Sequence, residues 1–169
     1  MMTETVVNVQ DAPNSNAANK QQSERHGLEW IKINLDYFKT VPGIIKLLQL
    51  LFGIICMSTA SAYWESGTHW FIFVATVSFI GTLIWVFIYF LGIREATVNY
   101  PINWILTELL NTAICAVCYF IAFIVQLCVW APSPFPHKGA NLAAGVFGIF
   151  QTILYGFGTY LLYIESKRN

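Results

Sequence analysis

Two charged residues fall inside apolar stretches of the chain: Lys46 in IIKLLQLLFG and Glu108 in WILTELLN. A charge near the middle of a bilayer costs about 2.5–3.5 kcal/mol on insertion scales, so each needs a partner or a task. Lys46 lies about one turn inside its stretch and Glu108 about one to two turns inside its own, so their depths match. Gln49 follows Lys46 by three positions, and Asn111 and Thr112 follow Glu108 by three and four, which gives each helix a polar stripe on one face. Two chemistries fit. One is an ion pair with interhelical hydrogen bonds inside a bundle; the other is a proton or ion relay. A relay needs polar groups that continue across the membrane, and beyond Asn111 the stripe gives way to Cys115, Cys118 and Ala122. The structural pair is therefore the favoured expectation, with snorkelling of Lys46 to the headgroups as an alternative.

The remaining reactive residue types do not assemble. Cys115 and Cys118 spell C-x-x-C, a redox signal in a soluble α/β setting, but here both sit in an apolar run with no second pair to complete a zinc site. They read as small buried apolar residues, and because Cys56 and Cys128 also fall inside apolar runs, structural disulfides are not expected. His26, His69 and His137 belong to three separate polar regions and cannot cluster on one helix, so no metal is expected. A phosphate-cradling glycine loop, a nucleophile elbow and paired carboxylates are all missing from the sequence. The chain is expected to be no enzyme and to carry no cofactor.

The elements that must position Lys46 and Glu108 follow from composition. Hydrophobic residues make up 56% of the 169 residues and charged ones only 11%, with a mean hydropathy of +0.56, whereas a water-soluble chain carries about 25% charge. Lipid is the expected solvent. Four apolar stretches, Ile44 to Trp64, Trp70 to Gly92, Trp104 to Trp130 and Asn141 to Ile164, each approach or exceed the roughly 20 residues that cross a bilayer core. Aromatic residues cluster at their ends, and Pro42 and Pro101 precede the first and third without interrupting any span. The fold class predicted is an all-α membrane protein, a four-transmembrane-helix bundle. The first stretch starts too late and runs too long for a signal peptide.

Residues 1–27 have the polar composition of a disordered tail, residues 28–42 read as a juxtamembrane segment, residues 43–165 as the four-span domain and residues 166–169 as a short tail. Leu28, Ile31, Leu35 and Phe38 fit a helix lying in the membrane interface, and an ordinary solvated lead-in fits equally well. Arg25, Lys32 and Lys39 precede the first span, Arg94 joins the second to the third, and Lys167 and Arg168 follow the fourth, against Lys138 alone on the other side. The positive-inside rule then places both termini in the cytoplasm. Nine basic and nine acidic residues cancel, with no basic stripe for nucleic acid. Span four carries Ala144, Gly148, Thr152 and Gly156 at every fourth position, a small-xxx-small face that packs either on another span of the same chain or on a second copy in a homo-oligomer.

The segment DYFKTVPGIIKLLQLLFGI, Asp36 to Ile54, resembles the opening of MARVEL-domain proteins, particularly the chemokine-like-factor MARVEL transmembrane and plasmolipin/MAL group. The matching features are Tyr37 and Lys39 before a Thr-x-Pro-Gly step (Thr40, Pro42, Gly43), then Lys46, Gln49 and Gly53. The run YPINWILTELLN, Tyr100 to Asn111, is similar to that group's third-span opening in Pro101, Trp104, Glu108 and Asn111. Occludin and synaptophysin-type branches, claudins and tetraspanins are disfavoured, because the outer loops hold no cysteine. The resemblance implies a non-enzymatic multi-pass protein of the plasma membrane or trafficking vesicles that works in membrane organisation, apposition, fusion or partner stabilisation. Its implied partners are membrane lipids, including cholesterol-rich domains, and other membrane proteins. A small oligomeric channel using the Lys46/Glu108 stripe is the competing expectation.

Overall fold

The computed structural model describes residues 35–61, 65–96 and 103–168. The expected tail over residues 1–27, residues 28–34 of the juxtamembrane segment, and Tyr63, Trp64, Tyr100 and Pro101 lie outside the described residues. The protein is an all-α bundle. Span one is Val41–Thr59, span two Ser66–Phe90, span three Trp104–Trp130 and span four Lys138–Arg168, each long and apolar enough to cross a membrane. A 3-10 turn at Leu35–Lys39 precedes span one, and a single helical turn at Ile93–Ala96 follows span two.

The spans close into a ring in which one packs on two, two on three, three on four and four on one. Spans one and three therefore face each other across the axis, as do two and four. The faces turned away from the axis are apolar on every span: Leu47, Leu51 and Ile54 on the first, Phe73, Val77 and Ile84 on the second, Leu110, Ile114 and Val117 on the third, Phe150, Ile153 and Phe157 on the fourth. The interior mixes large aromatics such as Phe71, Tyr119, Trp130 and Tyr155 with buried polar side chains. This is the inverse of a water-soluble bundle and is what lipid as solvent selects.

Span boundaries differ from the expected ones on spans one, two and four. Span one stops at Thr59 rather than Trp64, because Ala60 turns extended and the Ser61 amide donates to Asn141 Oδ1 at 2.8 Å. Span two begins at Ser66, four residues before Trp70; Gly67 lets it seat on span three, where a Cβ would meet Val129 at 2.9 Å. Span four extends beyond Asn141 and Ile164 at both ends. Trp130 is also no headgroup anchor, since it is fully buried and its indole N–H donates to Thr68 Oγ1 at 2.7 Å.

Candidate functional site

One end of the bundle carries residues 35–40, the Gly92 turn, the start of span three and the end of span four; we call it the tail end. The Thr-x-Pro-Gly step builds it. Thr40 caps span one by accepting from the Gly43 amide at 3.3 Å, while its hydroxyl donates to the Tyr37 carbonyl at 2.6 Å. Pro42 sits in the first turn, where its missing amide hydrogen leaves no acceptor wanting. Gly43 is required by space, because a Cβ there would lie 2.2 Å from the Tyr37 carbonyl oxygen. The turn delivers Tyr37 onto Tyr89 of span two, with stacked rings 4.3 Å apart and 5° from parallel, an arrangement worth about 0.5–1.5 kcal/mol beyond its buried area.

Tyr89 in turn donates its hydroxyl hydrogen to Glu108 Oε2, and Lys46 Nζ lies 2.8 Å from Glu108 Oε1. Lys46 is 5% exposed and Glu108 2%, so the lysine does not snorkel out but spans the axis to the opposite helix. Thr112 shares the inward face and donates to the Glu108 carbonyl at 2.8 Å. At the rim, Gly92 with φ 61° ends span two in the left-handed conformation that suits glycine. The following turn brings Arg94 back over the Tyr89 ring, 5.8 Å from its centroid, with 2.8 Å to Glu165 of span four. Burial, then the negative charges of Glu108 and Glu165, push the Tyr37 phenol far above the usual tyrosine range, so it stays protonated.

These residues line a cavity of about 470 Å³, together with Ile45, Gln49, Gly158, Leu161 and Leu162. Gln49 faces span four: its amide nitrogen donates to the Leu154 carbonyl at 3.3 Å, and Gln151 Nε2 donates to the Gln49 carbonyl at 2.7 Å. Gln49 Oε1 is buried with no hydrogen-bond partner. Asn111 does not join the inward stripe. It is half-buried and rests beside Gly81 of span two, because a step of three residues swings about 60° short of a full turn while a step of four overshoots by about 40°.

The span-four stripe divides for the same reason, since each four-residue step drifts about 40° around the helix. Ala144 is fully buried, and Gly148 packs so closely that a Cβ would meet Phe123 and Phe71 at 2.9 Å. Thr152 is half-buried and donates to its own helix at Gly148, and Gly156 is exposed, a Cβ there meeting no other part of the bundle within 4 Å. The inner face of span four instead runs through Asn141, Ala144, Gly145, Gly148, Gln151, Tyr155 and Leu162.

Polar groups also continue past Asn111, contributed by other helices rather than by span three alone. Tyr155 of span four bonds Thr82 at 2.7 Å and the Ser78 carbonyl at 3.2 Å across the axis. At the far end, here the loop end, Gln126 donates to Asn141 Oδ1 at 3.2 Å, the same oxygen that takes the Ser61 amide. Tyr37, Tyr89, Arg94, Glu165, Gln126 and Asn141 were not singled out from sequence as site residues. For Gln126, Asn141 and Glu165 the available signal is a titratable or amide group about one helical turn from a span end. The four cysteines are free thiols, and no group of metal-binding side chains occurs among the described residues.

The profile of the MARVEL family, described as a membrane-associating domain, matches residues 37–161. Plasmolipin of Danio rerio is 22% identical over 153 residues, covering 89% of this chain and 86% of that protein. No solved structure matches. The chain belongs to the MARVEL family and is a multi-pass membrane protein.

Proposed function

We propose that this MARVEL-family chain organises membranes without catalysis, acting through lateral contacts with lipids and other membrane proteins in trafficking, apposition, fusion or partner stabilisation. The observation that carries the reading is the uninterrupted apolar outer face of all four spans, combined with short connections such as residues 131–137. Spans joined by connections this short present their recognition surface to the bilayer itself. The basic residues Arg94, Lys167 and Arg168 gather at the tail end, which supports a cytoplasmic position for that end and for both termini. The plasma membrane and trafficking vesicles are the proposed locations, cholesterol-rich domains among the lipid partners. The outward part of the small-residue stripe, Thr152 and Gly156, is the proposed approach for a second copy. Proximity labelling in intact cells, followed by co-purification in mild detergent, tests this. Enrichment of vesicle, junction or plasma-membrane neighbours is expected, and recovery of the polypeptide alone contradicts it.

A channel is the second reading, favoured by the polar groups that thread the interior from Lys46 to Asn141. Against it, Glu108 is engaged by both Lys46 and Tyr89, and bulky Tyr119, Tyr155 and Phe71 fill the middle. Conductance in reconstituted liposomes that disappears with Glu108→Gln would favour the channel.

A further inference from the structure

The tail-end cavity is more specific than an adaptor needs, and its chemistry points to a ligand. Its volume of about 470 Å³ falls inside the roughly 300–1,000 Å³ of small-molecule pockets. One hydrocarbon chain fills such a space, and a two-chain phospholipid exceeds it. Its apolar lining is Pro42, Ile45, Leu161 and Leu162 with Tyr37 and Tyr89, and Gly158 keeps the floor open where a side chain would reach toward Gln49 and Thr112.

The polar groups on the wall restrict the head of that ligand. The four charged residues are already paired two by two, Lys46 with Glu108 and Arg94 with Glu165, each at 2.8 Å. A carboxylate or phosphate would have to displace Glu108 or Glu165 from its cation, and a buried carboxylate so released is costly. Gln49 adds no free group to the wall: it is 1% exposed, its nitrogen is committed to Leu154, and its orphaned Oε1 is as closed to the cavity as to bulk water, like those of Gln126 and Gln151 outside the lining.

We propose that the tail-end cavity binds an uncharged single-chain lipid, its chain lying against Ile45, Leu161 and Leu162. The proposal is independent of the adaptor reading, since a channel or a subunit of a larger complex would carry the same cavity.

The test uses the purified full chain in phosphatidylcholine nanodiscs with three diazirine probes: a monoacylglycerol, a fatty acid and a diacyl phosphatidylcholine. The monoacylglycerol is expected to label Ile45, Leu161 and Leu162, with unlabelled monoacylglycerol competing. Gly158→Leu, which fills the floor, should lower this labelling about tenfold. Leu161→Trp serves as a second filling variant if Gly158→Leu is not monodisperse and helical. Stronger cavity labelling by the fatty acid would overturn the uncharged head. Labelling confined to outward residues such as Val117 and Ile153, or unchanged by the filling variants, would overturn the site. No cellular neighbour takes part, so failure here leaves the proximity-labelling result untouched.

Discussion

At the loop end the buried polar side chains are neutral and tie to one another: Asn141 takes the Ser61 amide and the Gln126 nitrogen on one oxygen, and Trp130 donates to Thr68. At the tail end the buried groups are an acid and a base, Glu108 and Lys46, that meet across the axis and border a cavity. Both ends bury polar atoms in a lipid-facing bundle, but the consequences of losing one partner differ. A neutral joint that loses a member leaves an amide unmet, whereas an ion pair that loses a member leaves a charge in a medium that barely solvates it. The loop end is thus a tight clasp, and the tail end is where a large energetic stake and open space coincide.

That contrast breaks most readily at the ion pair. Lys46→Met alone is expected to cost about 3–5 kcal/mol in detergent-phase unfolding, because Glu108 is stranded. Gly43→Ala comes next: with the Tyr37 carbonyl only 2.2 Å from the new Cβ, the 3-10 turn must shift, at roughly 1–3 kcal/mol. Loss of Tyr37–Tyr89 stacking, read from near-ultraviolet dichroism, would accompany it. At the loop end, Asn141→Leu is expected to cost about 1–2 kcal/mol, the range for interhelical hydrogen bonds in membranes. A cost equal to that of Lys46→Met would erase the distinction between the ends. Along span four, Gly148→Ala should destabilise by roughly 1–3 kcal/mol through contact with Phe123 and Phe71, whereas Gly156→Ala should stabilise the monomer slightly, by up to about 1 kcal/mol of helix propensity. A matching loss at Gly156 in crosslinked dimers alone would mark a contact between copies. The smallest effect is at Arg94→Ala, less than about 1 kcal/mol and diminished by salt, since the Arg94–Glu165 pair is partly exposed.

Much of this architecture is legible in sequence because lipid imposes a coarse and strong rule: four apolar runs of sufficient length, with charges at their ends, leave few alternatives to a bundle. Lys46 and Glu108 stand out by the same rule, as charges where charges are expensive. The Thr40–Gly43 step is visible as a motif, but its role in placing Tyr37 on Tyr89 depends on a carbonyl that only three-dimensional coordinates locate. Partners across the axis are hidden for a related reason. Span three read alone loses its polar stripe after Asn111, yet Thr82, Gln151 and Tyr155 from spans two and four continue it. The span-four stripe shows the limit of exact fourfold spacing, which drifts off the buried face before Gly156 is reached.

The most direct test of the tail end as a buried ionic joint is a double-mutant cycle of Lys46→Met and Glu108→Leu in the full chain, followed by unfolding in mild detergent. Each single variant is predicted to lose several kcal/mol and the double variant to regain most of it, because no charge is left stranded. Additive losses, with the double variant no better folded than the singles, would contradict the account.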